Sequence, residues 1–175
     1  CGQPGGSLDV VLLTIRTLES GGDYTAEAAG SSASGAYQFL DSSWDGYGGY
    51  PRASAAPPAV QDAKAVDLIT YILERYGGDI AAVPVVWYIG HVPPDGSREW
   101  DTVPVPQAGN TLTPHEYQIR WLAKYAELAT STGAVPTSAP GSTVPACLPG
   151  LAITPLDDGW SYPAPADLFA SAPVG

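Results

Sequence analysis

Apolar residues at helical spacing, followed by pairs of glycines, constrain the fold of this chain more than any other feature. In residues 7–20 the apolar stripe consists of Leu8, Val11, Leu12, Ile15 and Leu18. Steps of three and four residues place these side chains on one face of a helix, and glycines directly after such a stripe end the helix. Gly21 and Gly22 follow this stripe, and Gly77 and Gly78 follow a second one in residues 59–76. The pattern predicts a mainly α-helical fold.

Two further helices are predicted from their start signals. Asp79 precedes the apolar segment 79–90, in which Pro84 falls in the early turns, where a proline is best tolerated. Thr113, Pro114 and Glu116 form the pattern of a capping box with proline at the first helical position. The core face of this last helix is predicted to contain Ile119, Leu122, Tyr125 and Ala126. For the helix predicted in residues 7–20, Ser7 is the predicted N-cap.

One short segment has a β-type composition. Residues 35–39, "GAYQF", predict a short extended stretch with Ala36 and Gln38 on one face and Tyr37 and Phe39 on the other. From residue 131 onward proline, alanine and serine dominate, and no period persists. We therefore expect one domain in residues 1–130 and an irregular tail in residues 131–175, partly pinned back by Cys147.

Charge and histidine content exclude several kinds of partner. The net charge is −11 with only seven Lys and Arg, which argues against binding to nucleic acid or to an anionic membrane surface. No apolar run is long enough to span a bilayer. His91 and His115 are the only histidines and form no metal-ligand pattern, so we expect no metal and no cofactor.

The two cysteines, Cys1 and Cys147, predict one disulfide formed in an oxidising compartment. The alternative is that Cys1 is a lipid-anchored N-terminus and Cys147 is free. The chain contains no methionine, from which we expect a processed or excised piece of a longer secreted protein.

Glu19 is the residue best placed for chemistry. It lies four residues after Ile15 and seven after Leu12, so it continues the buried stripe of the first helix. Burial raises the pKa of a carboxyl group, which suits a group that must donate a proton near neutral pH. The alternative is an ordinary solvent-exposed glutamate at a helix end.

Two segments resemble a known family. Residues 18–44, "LESGGDYTAEAAGSSASGAYQFLDSSW", resemble the Glu-Ser-Gly…Gly-x-x-Gln-Phe…Trp pattern of the lysozyme-like peptidoglycan glycosidases, which include soluble lytic transglycosylases and resuscitation-promoting factors. Residues 59–90 are similar to the transglycosylase helix pair that ends in Tyr-Asn-Ala-Gly. The resemblance implies a lysozyme-like helical domain and a secreted enzyme, of bacteria or of a phage, that cuts peptidoglycan between N-acetylmuramic acid and N-acetylglucosamine.

The resemblance also implies roles for particular residues. Glu19 would be the catalytic acid, and the substrate-binding residues would be Ser20, Tyr37, Gln38, Trp87 and Tyr88. Trp87 and Tyr88 replace the family's Tyr-Asn pair. In lytic transglycosylases one glutamate protonates the glycosidic oxygen and then accepts a proton from the 6-hydroxyl of the muramic acid, so that a 1,6-anhydro sugar forms.

Two alternatives stay open at this point. A hydrolase would need a second carboxylate to activate water, for which Asp23, Glu27, Asp41 and Asp45 are candidates. A non-catalytic peptidoglycan-binding or structural module could also retain the lysozyme-like fold. Finally, the tail "DDGWSYPAPADLFASAPVG" weakly resembles the approach to lysostaphin-type zinc peptidases, which implies a C-terminal peptidase domain in a longer parent protein.

Overall fold

The first helix, α1, spans Gly5–Ser20 in a computed structural model that describes residues 5–106 and 110–133. It begins two residues before the predicted cap, so Ser7 lies inside the helix. Val11 and Ile15 are fully buried, as the stripe predicted. The helix ends at the predicted glycines, where the N–H of Gly21 donates to Thr17 and the N–H of Gly22 donates to Arg16.

The segment after α1 is irregular and is closed by a tight turn. Two isolated antiparallel bridges, Glu27 with Ser34 and Ser34 with Phe39, hold it together. Residues 35–38 form a turn between the bridges, so the predicted extended stretch is wrong. Gly35 and Gln38 have φ angles of 76° and 51°, which reverse the chain and remove the two-residue alternation expected of a strand.

Four more α-helices follow in the described residues. They are α2, Asp41–Trp44; α3, Pro58–Arg75; α4, Ala82–Ile89; and α5, Pro114–Ser131. Short 3-10 helices occur at Tyr47–Gly49, Ala53–Ala55 and Arg98–Asp101. The predicted mainly α-helical fold is confirmed.

The helix starts agree in part with the predicted capping residues. The capping box of α5 is present, with the Thr113 side chain accepting from the Glu116 N–H. Asp79 accepts from the N–H of Ala81, one turn before α4 begins, so it caps a turn that leads into the helix. Pro84 lies in the first turn of α4 as expected.

The core lies where α1, α4 and α5 pack together and α3 covers them. The predicted core face of α5 is partly wrong, because Ile119 is 58% exposed and Ala126 is also exposed. Tyr117, Trp121 and Ala129 are the buried residues of that helix, together with Pro114. α5 is therefore rotated relative to the expectation, and its aromatic stripe faces the core.

Several predictions concern residues beyond the described part. The Cys1–Cys147 disulfide, the tail from residue 134 onward and the peptidase-like segment all lie outside the described residues. Within residues 5–106 and 110–133, no helix combines the length and hydropathy that crossing a membrane requires.

Candidate active site

Glu19 is the next-to-last residue of α1 and is partly exposed. The residues that precede it on the same face, Leu12 and Ile15, are buried at 7% and 0% exposure. The stripe therefore positions Glu19 at the edge of the core. A carboxyl group at such an edge has one side against protein and one side open to a ligand.

Tyr117 of α5 is the hydrogen-bond partner of Glu19. Its hydroxyl donates to Oε1 of Glu19 in a short hydrogen bond between residues 98 positions apart in the chain. The ring of Tyr117 stacks on Tyr88 of α4, with centroids 4.4 Å apart and planes 7° apart. The Tyr88 hydroxyl donates to the carbonyl of Leu112 at 2.9 Å. Side chains from α4 and α5 thus hold the Glu19 carboxyl in one orientation.

The electrostatics of Glu19 favour its neutral form. Loss of hydration in this densely surrounded position raises the pKa of Glu19 from its ordinary value of 4.5 to about 7. The hydrogen bond from Tyr117 and the positive charge of Arg120 act in the opposite direction. Burial, and secondly the Glu19 charge, also raise the pKa of Tyr88 to about 12, and the pKa of Tyr117 is raised well above its usual range. Both tyrosines therefore remain hydrogen-bond donors.

Ser20 and Gln38 meet at the turn of residues 35–38. The Ser20 hydroxyl donates to the carbonyl of Ala36 at 2.9 Å and so attaches the end of α1 to the turn. The side-chain amide of Gln38 donates to the carbonyl of Gly35 at 2.9 Å, and Gln38 is 9% exposed. The sequence-predicted residues Glu19, Ser20 and Gln38 are thereby linked through one short turn.

Tyr37, Trp87 and Tyr88 lie inside the protein, at 0%, 4% and 2% exposure. The Tyr37 ring packs 6.3 Å from that of Trp87, and its hydroxyl donates to Asp62 at 2.6 Å. Side chains this enclosed contact protein on nearly all sides, and sugar contacts by these three residues stay a prediction. Of the three, Tyr88 supports the Glu19 region through its stacking on Tyr117.

The candidate second carboxylates have local partners. Glu27 accepts from Arg52 at 3.1 Å and from Ser54 at 2.8 Å, and Asp41 lies 3.6 Å from Arg52. Asp23 accepts from the backbone and hydroxyl of Thr25, both at 2.8 Å. Water activation by any of these groups stays a prediction. Among the described residues, no group of three or more His, Cys, Asp and Glu side chains is arranged to hold a metal.

Sequence reasoning missed Tyr117 and Arg120, the two residues of α5 that act on Glu19. A signal was present, because Tyr117, Trp121 and Tyr125 recur at four-residue steps and indicate an aromatic face. Nothing in the local pattern connected that face to Glu19.

Comparison with known proteins is consistent with this geometry. Residues 9–72 match the family model described as "Transglycosylase-like domain". "Probable transglycosylase SceD" of Staphylococcus carnosus (strain TM300) is 50% identical over 62 residues, which are 33% of this chain and 26% of that protein. "Probable transglycosylase SceD 2" of Staphylococcus saprophyticus is 50% identical over 62 residues, which are 33% of this chain and 24% of that protein.

Residues 9–72 are thus similar to the transglycosylase-like domain. This confirms the resemblance to the lysozyme-like peptidoglycan glycosidases over that part of the chain. The chain spans about a quarter of the length of the curated relatives it matches. No solved structure matches the chain at a significant level.

Proposed function

We propose that the chain is a peptidoglycan lytic transglycosylase that cuts the β-1,4 bond between N-acetylmuramic acid and N-acetylglucosamine. The observation that carries this proposal is the Glu19 carboxyl, which lies at the edge of the core in the segment that matches the family. With its pKa raised to about 7, Glu19 retains its proton at a pH where an ordinary glutamate has lost it.

Glu19 acts first as an acid and then as a base. In the first step its proton moves to the glycosidic oxygen, and the bond between this oxygen and the muramic acid carbon breaks. In the second step the carboxylate accepts the proton of the muramic acid 6-hydroxyl, whose oxygen closes the 1,6-anhydro ring. The proton lost in the first step is thereby regained, and no water is consumed.

The neighbouring groups hold Glu19 for this cycle. Tyr117 donates to one carboxyl oxygen, which leaves the other oxygen to meet the substrate. Tyr88 holds Tyr117 by stacking, so both residues act behind the carboxyl and not on the sugar. Gln38 and Ser20, next to the turn of residues 35–38, are the proposed contacts of the glycan strand.

The substrate determines where the protein works. Peptidoglycan lies outside the cytoplasmic membrane, so we infer a secreted protein that acts at the cell wall. The net charge of −11 suits glycan strands better than polyanionic partners. A disulfide between Cys1 and Cys147 and a peptidase domain in a longer parent protein belong to the same proposal and await direct measurement.

The proposal is tested by measuring the rate at which the wild type and Glu19→Gln release soluble fragments from purified peptidoglycan. Loss of the acid is expected to lower the rate about a thousandfold, because general acid catalysis contributes on that order. Glu74→Gln, at an exposed position of α3, is the matched control and should keep the wild-type rate.

Mass analysis of the fragments separates the mechanisms. An anhydro product is lighter than the reducing product of a hydrolase by one water. A wild-type protein that binds peptidoglycan but releases nothing would replace the proposal with a non-catalytic binding module. Equal rates for the wild type and Glu19→Gln would also contradict it.

A further inference from the structure

Gln61 of α3 is a buried polar residue outside the candidate active site, and its exposure is 0%. Its Oε1 accepts from the N–H of Ala36 at 2.9 Å. Its Nε2 donates to the carbonyls of Tyr24 at 2.9 Å and of Ala56 at 3.0 Å. One side chain therefore joins three irregular segments whose backbone groups would otherwise be buried without partners.

The backbone of Ala36 is held from two sides. Its N–H donates to Gln61, and its carbonyl accepts from the hydroxyl of Ser20 at 2.9 Å. Ser20 directly follows Glu19 at the end of α1. A continuous chain of contacts thus runs from Gln61 through the turn of residues 35–38 to the residue next to Glu19.

Gly35 makes this contact possible. Its φ of 76° lies in the left-handed region that favours glycine. A Cβ at this position would lie 2.2 Å from Oε1 of Gln61 and 3.1 Å from the Cβ of Ala53. The turn and the Gln61 side chain therefore fit only because residue 35 has no side chain.

We propose that Gln61 is a positioning residue that fixes the turn of residues 35–38, and with it Gln38, relative to Glu19. The inference rests on the proposed function, because it concerns how a bound glycan strand is aligned with the Glu19 carboxyl. Gln61 acts through Ala36 and Ser20. Displacement of a binding group by about 1 Å is enough to lower a rate substantially.

The test is Gln61→Met, which keeps the side-chain length and removes all three hydrogen bonds. We expect kcat/KM per folded molecule to fall about tenfold or more, with a rise in KM, because the turn no longer aligns the substrate. The pH at which activity falls on the alkaline side should not move, since Tyr117 and Arg120 are untouched. Ile69→Ala, a fully buried position in the same helix, is the control for lost stability and should keep KM.

A second variant approaches the same contact from the other side. Gly35→Ala places a Cβ against Oε1 of Gln61, so it should reproduce the effect of Gln61→Met. The double variant should be no worse than the more severe single variant, because both changes disrupt the same contact between the turn of residues 35–38 and Oε1 of Gln61. Additive effects would contradict the inference.

Two outcomes separate this inference from the proposed function. An active wild type, with unchanged kcat and KM per folded molecule in Gln61→Met, would overturn the inference alone. A wild type without activity would overturn the proposed function. In that case the inference is tested by the backbone chemical shifts of Ser20 and Gln38, compared between the wild type and Gln61→Met. Both residues' signals must move if Gln61 fixes the turn. Unmoved signals would overturn the inference.

Discussion

The candidate acid and the groups that set its acidity come from different parts of the chain. Glu19 and the turn of residues 35–38 lie in residues 9–72, which match the transglycosylase-like domain. Tyr88, Tyr117 and Arg120 lie beyond that match, in α4 and α5. The matched region supplies the reacting group, whereas the second region supplies the hydrogen bond of Tyr117 and the charge of Arg120, which both act on its pKa.

The two regions are also stabilised differently. In the matched region, side chains hold the backbone of the irregular turn of residues 35–38, because the buried Gln61 accepts from the Ala36 N–H and the half-buried Ser20 donates to the Ala36 carbonyl. In the second region, stacked rings make comparable links, since Tyr88 of α4 stacks on Tyr117 of α5 and Trp121 stacks on Tyr125, with ring centroids 5.3 Å apart in the latter pair. A family resemblance can therefore identify the acid without explaining its strength.

Truncating a buried aromatic side chain of the second region should have the largest effect on the free energy of unfolding. Trp121 is fully buried in α5, whereas Ile119 is 58% exposed on the same helix. Trp121→Ala is expected to lower the free energy of unfolding by about 3 to 5 kcal/mol, and Ile119→Ala by less than about 0.5 kcal/mol. Chemical denaturation measures both, and similar costs for the two variants would contradict the observed orientation of α5.

The Glu19 carboxyl itself should make stability depend on pH. Its pKa is raised on folding, so between about pH 4.5 and 7 the folded state binds more protons than the unfolded state, and stability falls as pH rises. The Glu19→Gln variant has no carboxyl group at this position and does not lose stability in this way as pH rises. It should therefore be more stable than the wild type by up to about 3 kcal/mol at alkaline pH. Below about pH 4 the difference should vanish. Denaturation at pH 4 and pH 8 checks this, and a variant less stable at pH 8 would contradict it.

Removing only the Tyr117 hydroxyl should have a smaller effect, which is a rise in the pKa of Glu19. Tyr117→Phe keeps the ring that excludes water and deletes the hydrogen bond that favours the Glu19 carboxylate. The pKa of Glu19 should therefore rise, and the alkaline fall in kcat/KM, located near pH 7 in the wild type, should move to higher pH.

Arg120→Gln is the matched control for that shift. It removes a positive charge that lowers the pKa of Glu19, so the alkaline fall should move in the same direction. Arg120 is exposed, so its effect should be smaller and should shrink in high salt, whereas the effect of Tyr117→Phe should not. A downward shift in either variant would contradict the assignment of both groups.

Much of the helical framework could be predicted from the sequence, because its signals are local. The stripe of α1, the glycines after it and the capping box of α5 each depend on residues within a few positions of one another. The turn of residues 35–38 could not be predicted from composition, since the Ala36 N–H is held by Gln61 of α3, a residue distant in the chain, and Gln38 adopts a positive φ that is uncommon for residues other than glycine.

The candidate site also has one part that local spacing predicted and one part that it did not. The placement of Glu19 in line with the buried face of α1 followed from its spacing to Leu12 and Ile15. Its partner Tyr117 lies 98 residues away, and only the packing of α5 against α1 brings the two together. The burial of Trp87 and Tyr88 likewise follows from helix packing, which a resemblance to a motif does not specify.

The most direct test of this account is an NMR titration of the Glu19 side-chain carboxyl carbon in the folded protein. The account predicts a pKa of about 7 for Glu19, raised by burial of the carboxyl group. A pKa near the ordinary value of 4.5 would contradict it, because the carboxyl would then have lost its proton before reaching neutral pH.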